Sequence, residues 1–204
     1  MKKNSENSEN PERTASITRK TAETSISITL NLDVPDGPLC QTGVGFLDHM
    51  LTLMLYHGNF SGTIQATGDY HIDDHHTVED TGITLGQAIK QALATYTGIQ
   101  RYASLSLPMD EALCHLSLDI SNRPFLHYET PDLPPKIGTF DTELIPEFLR
   151  AFSHNAGLTL HIDIIRGSNA HHCIEAVFKA LGRGLYHATR QNASARLPST
   201  KGIL

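Results

Sequence analysis

The sequence predicts an α+β fold made by tandem duplication of a ββαβα half, and three observations predict it. The pattern H-H-x-x-E occurs twice, at His75-His76 with Glu79 and at His171-His172 with Glu175, and the steps His75 to His171 and Glu79 to Glu175 are both 96 residues. The flanks repeat as well, with LGQAIKQAL after the first motif and FKALGRGLY after the second. Period-two stretches rich in β-branched residues alternate with longer segments of closely spaced apolar residues, the signatures of strands and helices.

Ala15 to Leu32 alternates apolar and polar residues, most clearly from Thr24 to Leu32, and reads as half-buried strand. Pro35-Asp36-Gly37-Pro38 is a turn. Phe46 to Tyr56 reads as a helix, with Gly58 placed to stop it. Phe60 to Thr67 alternates again. Asp73 or Asp74 is a suitable N-cap for a helix that runs to about Tyr96. In the second half, Glu111 to Ile120 and Pro124 to Tyr128 read as strands, Thr142 to His154 as a helix ended at Asn155-Ala156-Gly157, and Leu158 to Ile165 as a strand. Ser168 or Asn169 caps a last helix that runs to about Arg190. The expected division is a disordered polar tail over 1–13, one repeat over 14–98, a second over 99–192, and a C-terminal segment over 193–204.

Composition narrows the function classes. Of 204 residues, 39% are hydrophobic and 19% charged, and the net charge is −6 with no basic run beyond Lys2-Lys3, which argues against nucleic acid as partner. No apolar run is long enough for a membrane span, and the first residues have no apolar segment suited to secretion. Cys40, Cys114 and Cys173 are widely spaced, so a reduced, cytoplasmic protein without a thiolate metal site is expected. The twelve histidines are the unusual feature.

On a helix, His75 and Glu79 are four residues apart and stack on one face, so both can grip one ion. His76 lies about 100° round the helix and points elsewhere. The same geometry applies to His171, His172 and Glu175, while Cys173 falls on the opposite side and reads as packing. One surface His-His pair is ordinarily solvated. Two copies in one register, each with its glutamate, point to metal ligation by nitrogen and oxygen donors, which favours Mn²⁺, Fe²⁺ or Zn²⁺. Asp73, Asp74 and Asp80 read mainly as stabilisers of the helix N-terminus. Further ligands are needed. His49 stands 26 residues before His75, and Glu147 stands 24 before His171, so Glu147 is its counterpart after a two-residue deletion. His57 is two turns beyond His49 on the same face.

With TGVGFLDHM, ATGDYHIDDHHTVEDTGITLG, GIQRY, PMDEAL, LDISNRPFL, GLTLHIDIIRGSNAHHCIEAVFKALGRGL and the terminal PSTKG, the chain resembles the imidazoleglycerol-phosphate dehydratase family over almost everything after residue 13. The resemblance implies a four-stranded sheet backed by two helices in each half. It also implies a cage of 24 subunits with active sites where subunits meet, two Mn²⁺ per site, and a small phosphorylated imidazole as substrate. The metal positions it implies are His49, His75, His76, Glu79, His171, His172 and Glu175. Glu147 falls where some relatives have histidine, and a glutamate can still ligate Mn²⁺. The substrate positions it implies are Glu23, His57, Arg101, Arg123, Lys179, Ser199 and Lys201, with His49, His75 and His171 beside them. Arginine and lysine suit a phosphomonoester, the first as a planar fork and the second as a point charge.

The chemistry such a site must perform is loss of hydroxide next to a carbon-bound proton of low acidity. A substrate imidazole held as imidazolate between two ions could expel the side-chain hydroxyl, giving a diazafulvene-like intermediate, after which a base removes the C2 proton. Two ions flanking one ring explain two copies of the motif. Glu23 is the expected acid/base, with His49, His76 and His172 at the reacting centre. Two other classes use the same ligands: a dinuclear metallohydrolase that activates water, and a metal-binding cage without catalysis, which would not need Arg101, Arg123 and Lys179.

Overall fold

A computed structural model describes residues 12–192, 194 and 196–204. The expected disordered tail lies outside the described residues except for Glu12 and Arg13. Arg13 is anchored: its guanidinium pairs with Asp33 and donates to the carbonyl of Thr189.

The first half contains β1 (Thr14–Lys20), β2 (Ser25–Asn31), β3 (Leu39–Gln41), α1 (Gly45–His57), β4 (Ser61–Thr67) and α2 (His75–Leu93). The second contains β5 (Tyr102–Met109), β6 (Ala112–Ile120), β7 (Phe125–Glu129), the small hairpin β8 (Lys136–Ile137) and β9 (Phe140–Asp141), then α3 (Leu144–Ala156), β10 (Leu158–Arg166) and α4 (Ala170–Thr189). The sheets have orders β1-β2-β4-β3 and β5-β6-β10-β7, the same topology with the same single parallel pair at one edge. The duplicated α+β fold is therefore present, with a four-stranded sheet in each half.

Each half's main sheet has one strand more than a ββαβα pattern supplies, and the second half adds the β8–β9 hairpin. Ala15 to Leu32 is a hairpin and not one strand: Ala15 pairs with Leu30 and Ile17 with Ile28. The alternation is unbroken because the turn has no Gly, Pro or Asn. It is closed by Thr21, whose Oγ1 accepts from the backbone N–H of Glu23 (3.1 Å) and of Thr24 (2.9 Å). Strand β5 is masked in the sequence by Pro108, which an edge strand tolerates.

The strands bury one face. In β2, Ile26, Ile28 and Leu30 are buried while Ser25, Ser27 and Thr29 are exposed. In β6, Cys114, Leu116 and Leu118 are buried. The four helices fill the space between the two buried faces: α2 lies against β1 and β2, α4 against β5 and β6, and α1 packs on α4 as α2 packs on α3. Glycines permit this close approach. A Cβ on Gly82 would stand 2.8 Å from the carbonyl oxygen of Phe148, and one on Gly86 2.6 Å from that of Phe152. Gly182 meets the backbone of Met54 and Gly58 in the same way. Each half's short helix thus rests on the motif helix of the other half.

Candidate metal centre and active site

Both motifs open their helices, as expected. Asn169 caps α4, its Oδ1 accepting from the backbone N–H of His171 (2.9 Å) and His172 (3.4 Å). At α2, Asp73 Oδ1 accepts from the N–H of His75 at 2.8 Å, although Asp74 holds the N-cap position. Asp80 does something else. It is buried, its carboxylate pairs with Arg19 (2.9 Å) and accepts from the hydroxyl of Thr24 (2.5 Å). A buried carboxylate needs such partners, and these bolt the β1–β2 turn, with Glu23 at its tip, onto α2.

The packing of α1 on α4 brings three expected ligands together. His49 Nε2 lies 3.6 Å and His171 Nε2 3.1 Å from the same oxygen, Glu175 Oε2. An ion with metal–donor bonds of about 2.1 Å in octahedral geometry needs neighbouring donors roughly 3 Å apart, so the trio fits a divalent ion with nitrogen and oxygen preference. Glu175 is buried, which opposes its ionisation, but Lys179 Nζ at 2.5 Å and His171 outweigh this and hold its pKa below the usual value. The carboxylate is ready to ligate.

In the first half His75 Nε2 and Glu79 Oε2 are 3.7 Å apart on the exposed face of α2. Glu147 is on α3, the helix that packs on α2, as the counterpart of His49 should be. Its carboxylate is held by Arg150 Nη1 at 2.6 Å. His76 and His172 turn away from their partners, as the helical spacing requires. His76 Nδ1 faces Asp69 at 3.0 Å and Glu23 at 3.8 Å. His172 Nδ1 faces Glu111 at 2.7 Å, with Asp110 3.8 Å from its Nε2. Nothing in the sequence pattern marks Asp69, Asp110 or Glu111 as site residues. Asp69 lies in the same GDYH run as His71, and Asp110-Glu111 form a two-residue hairpin turn, so neither has helical spacing to betray it. A third group, His127, Glu129 and Asp163, sits on the outer side of the second sheet.

The expected substrate-binding cations divide into two places. His57 and Lys179 are at the α1–α4 side, and the His57 pKa is lowered by burial and then by the charges of Lys179 and Arg183. Arg101, Arg123, Ser199 and Lys201 gather at another corner. Arg101 is buried in a left-handed backbone conformation (φ 74°), strained for a non-glycine residue, and its guanidinium binds Asp119 (2.7 and 3.1 Å) and the carbonyl of Pro198 (2.7 Å). Arg123 is exposed, 3.6 Å from Asp119. Ser199 Oγ accepts from the N–H of Lys201 at 3.3 Å.

A duplicated α+β chain with helix-borne imidazole and carboxylate donors in both copies defines a metal-dependent enzyme of nitrogen- and oxygen-ligated divalent ions. The family model described as imidazoleglycerol-phosphate dehydratase matches residues 42–185. The chain belongs to that family, which is metal-dependent and whose members are hydro-lyases. Imidazoleglycerol-phosphate dehydratase of Methylorubrum extorquens is 54% identical over 194 residues, covering 94% of this chain and all of its own. The enzyme of the same name from Desulfotalea psychrophila is 54% identical over 192 residues, covering 94% and 96%. Among solved structures, that of imidazoleglycerol-phosphate dehydratase from Staphylococcus aureus superposes with a TM-score of 0.80 at 42% identity, covering 88% of this chain and 99% of its own. One from Pyrococcus furiosus superposes equally well at 35% identity, covering 92% of this chain and all of its own. Among the described residues no helix is long and apolar enough to cross a membrane.

Proposed function

We propose that this chain removes water from D-erythro-1-(imidazol-4-yl)glycerol 3-phosphate to give 3-(imidazol-4-yl)-2-oxopropyl phosphate, a step of L-histidine biosynthesis carried out in the cytoplasm. The observation that carries the reading is the trio His49, His171 and Glu175, assembled from two helices of different halves, with a second donor set on α2. Two such sets suit a substrate ring with two nitrogens. Two bound Mn²⁺ would supply positive charge that stabilises the ring after loss of its N–H proton. The hydroxyl next to the ring would leave as water with a proton handed on by the acid/base group, Glu23 would take the C2 proton, and the enol so formed would tautomerise to the ketone.

The chain's own residues supply position and proton transfer. Glu23 is held at a tight turn above α2, 53% exposed in its side chain, within reach of whatever lies beside His76. It is the acid/base of this reading. Lys179 places positive charge beside the trio, and His57, kept toward its neutral form by burial and by that charge, offers a ring nitrogen there. Arg123 is the exposed guanidinium of the other corner, near Asp119 and donating to the carbonyl of Ser121, Arg101 orders that corner through Asp119, and Ser199 and Lys201 complete a phosphate pocket there, which gives the segment 193–204 its role beside the repeats 14–98 and 99–192. Glu147, beside α2, would complete the first-half donors if Arg150 yields it.

Within one chain the trio and the arginine corner are at opposite ends of the second sheet. The β5–β6 turn with Glu111 abuts His172, while Arg101 binds Asp119 at the far end of β6. Eight strand residues span about 27 Å, far more than the substrate. This separation supports sites built between subunits, as in a 24-subunit cage. The test is incubation of chelator-stripped and reconstituted protein with the substrate. Dehydration that needs metal and recovers best with Mn²⁺ is expected; full activity in metal-free protein overturns the reading, and phosphate release would assign a hydrolase.

A further inference from the structure

The second histidine of each motif is the one whose purpose the donor trio leaves open. Each has its Nδ1 turned to a carboxylate. Glu111 spans two duties: Oε2 lies 2.7 Å from His172 Nδ1, and Oε1 accepts the backbone N–H groups of Asn169 (2.8 Å) and Ser168 (3.2 Å) at the start of α4. Asp69 Oδ2 lies 3.0 Å from His76 Nδ1. An ionised carboxylate only accepts hydrogen bonds, so the ring proton is fixed on Nδ1 and the lone pair on Nε2.

We propose that Glu111 is a positioning residue that locks the tautomer and direction of His172 so that Nε2 is presented to a divalent ion, and that Asp69 does the same for His76. The inference rests on the metal-binding function proposed above.

The internal duplication sharpens it. Ile28 pairs with Ile64 and Leu116 with Ile162 at the centres of the two sheets, and the step from Ile28 to Leu116 is 88 residues, the same as from Glu23 to Glu111. Glu111 is therefore the counterpart of Glu23. In the second half the turn glutamate binds the histidine directly. In the first half Asp69 has that contact, and Glu23 stands off at 3.8 Å. Position 167, where the second half would supply a counterpart to Asp69 before its helix, is glycine, and the connection is shorter. Two carboxylates of one ancestral position have parted: one orients an imidazole, and the other is released for chemistry because Asp69 orients in its place.

Glu111→Gln in the full chain tests this. If the amide oxygen keeps the N–H groups of Ser168 and Asn169, the amide NH₂ faces Nδ1 and forces the ring proton to Nε2, which then cannot ligate. Mn²⁺ titration followed by electron paramagnetic resonance should show one class of site weakened by about 10–100-fold, the usual effect of losing such a partner, with the other class unchanged. Asp69→Asn should weaken the other class, and Glu129→Gln on the outer sheet neither. In a His172→Ala background Glu111→Gln should cause no further loss of Mn²⁺ affinity. Wild-type affinity in Glu111→Gln, or an equal further loss without His172, overturns the proposal. Failure of the wild-type protein to bind Mn²⁺ at all would instead overturn the metal-binding function itself.

Discussion

Glu23 shows how a single side chain acquires a role from its supports. Its turn is closed by Thr21, and the neighbouring Thr24 and Arg19 both bind buried Asp80 on α2, so the carboxylate is aimed while remaining solvated. Glu23→Gln keeps the shape and removes the proton-transfer group. Retained Mn²⁺ and retained binding of a substrate analogue are expected, with kcat lower by roughly 10²–10⁴. A kcat within a few-fold of wild type would pass the base role to another group. The histidine pairs lead to a pH prediction. Hydrogen bonds that the rings donate to Asp69 and Glu111 raise the pKa values of His76 and His172. In metal-free protein this stabilisation is full below the unfolded value of about 6.5 and is lost as pH rises through the folded values. Mn²⁺ needs the neutral rings, so its affinity should rise over the same interval. Thermal midpoints of stripped protein should therefore fall with rising pH above about 6.5 relative to His172→Ala, while midpoints in saturating Mn²⁺ rise. Parallel slopes would contradict the assignment.

At the scale of elements, the helices and the side chains that share their faces were legible because helical spacing is rigid: His75 with Glu79 and His171 with Glu175 had to share a face. What the spacing hid was tertiary. Asp80 belongs by sequence to the start of α2 and by contact to the β1–β2 turn. Asp69 and Glu111 come from a loop and a hairpin tip, where no period exists to mark them. The three-residue β3 is too short to show alternation. The glycines of the motif helices carry a sharper lesson. By helix propensity alone, Gly182→Ala would stabilise by about 1 kcal/mol. Yet the new methyl would be driven into the backbone of α1 at Met54, which cannot rotate away, and overpacking of that kind costs about 1–3 kcal/mol or more. The net effect should be a lower thermal midpoint, whereas Gly37→Ala, with open space round it, should leave the midpoint nearly unchanged. A stabilised Gly182→Ala would mean that α1 and α4 are not held as tightly as their glycine contact implies.

At the scale of the whole molecule, the separation of the His171–Glu175 end from the Arg123 corner sets the most demanding test. If both ends serve one substrate, they come from different copies of the chain. Assayed alone at substrate well below saturation, His172→Ala should be inactive for want of the proposed metal donor, and Arg123→Ala should be slower by about 10–150-fold through loss of a charged contact of about 1.5–3 kcal/mol. Arg123 is a cleaner probe than Lys179, because Lys179 also holds Glu175, so Lys179→Ala would disturb a proposed metal ligand as well as a proposed substrate contact. Dissociating the two variants, mixing them in equal amounts and reassembling them should restore activity. A site that draws its His172 end from one subunit and its arginine corner from another is intact only when the first is the Arg123→Ala chain and the second the His172→Ala chain. Random mixing makes this about one site in four. Recovery toward a quarter of wild-type turnover, with each variant unchanged when reassembled alone, is the expected result. No recovery from a fully mixed assembly would place both ends of the site in one chain, and a separation on the order of the strand's length, roughly 27 Å, would then have to be closed by a rearrangement for which these packed helices leave little room.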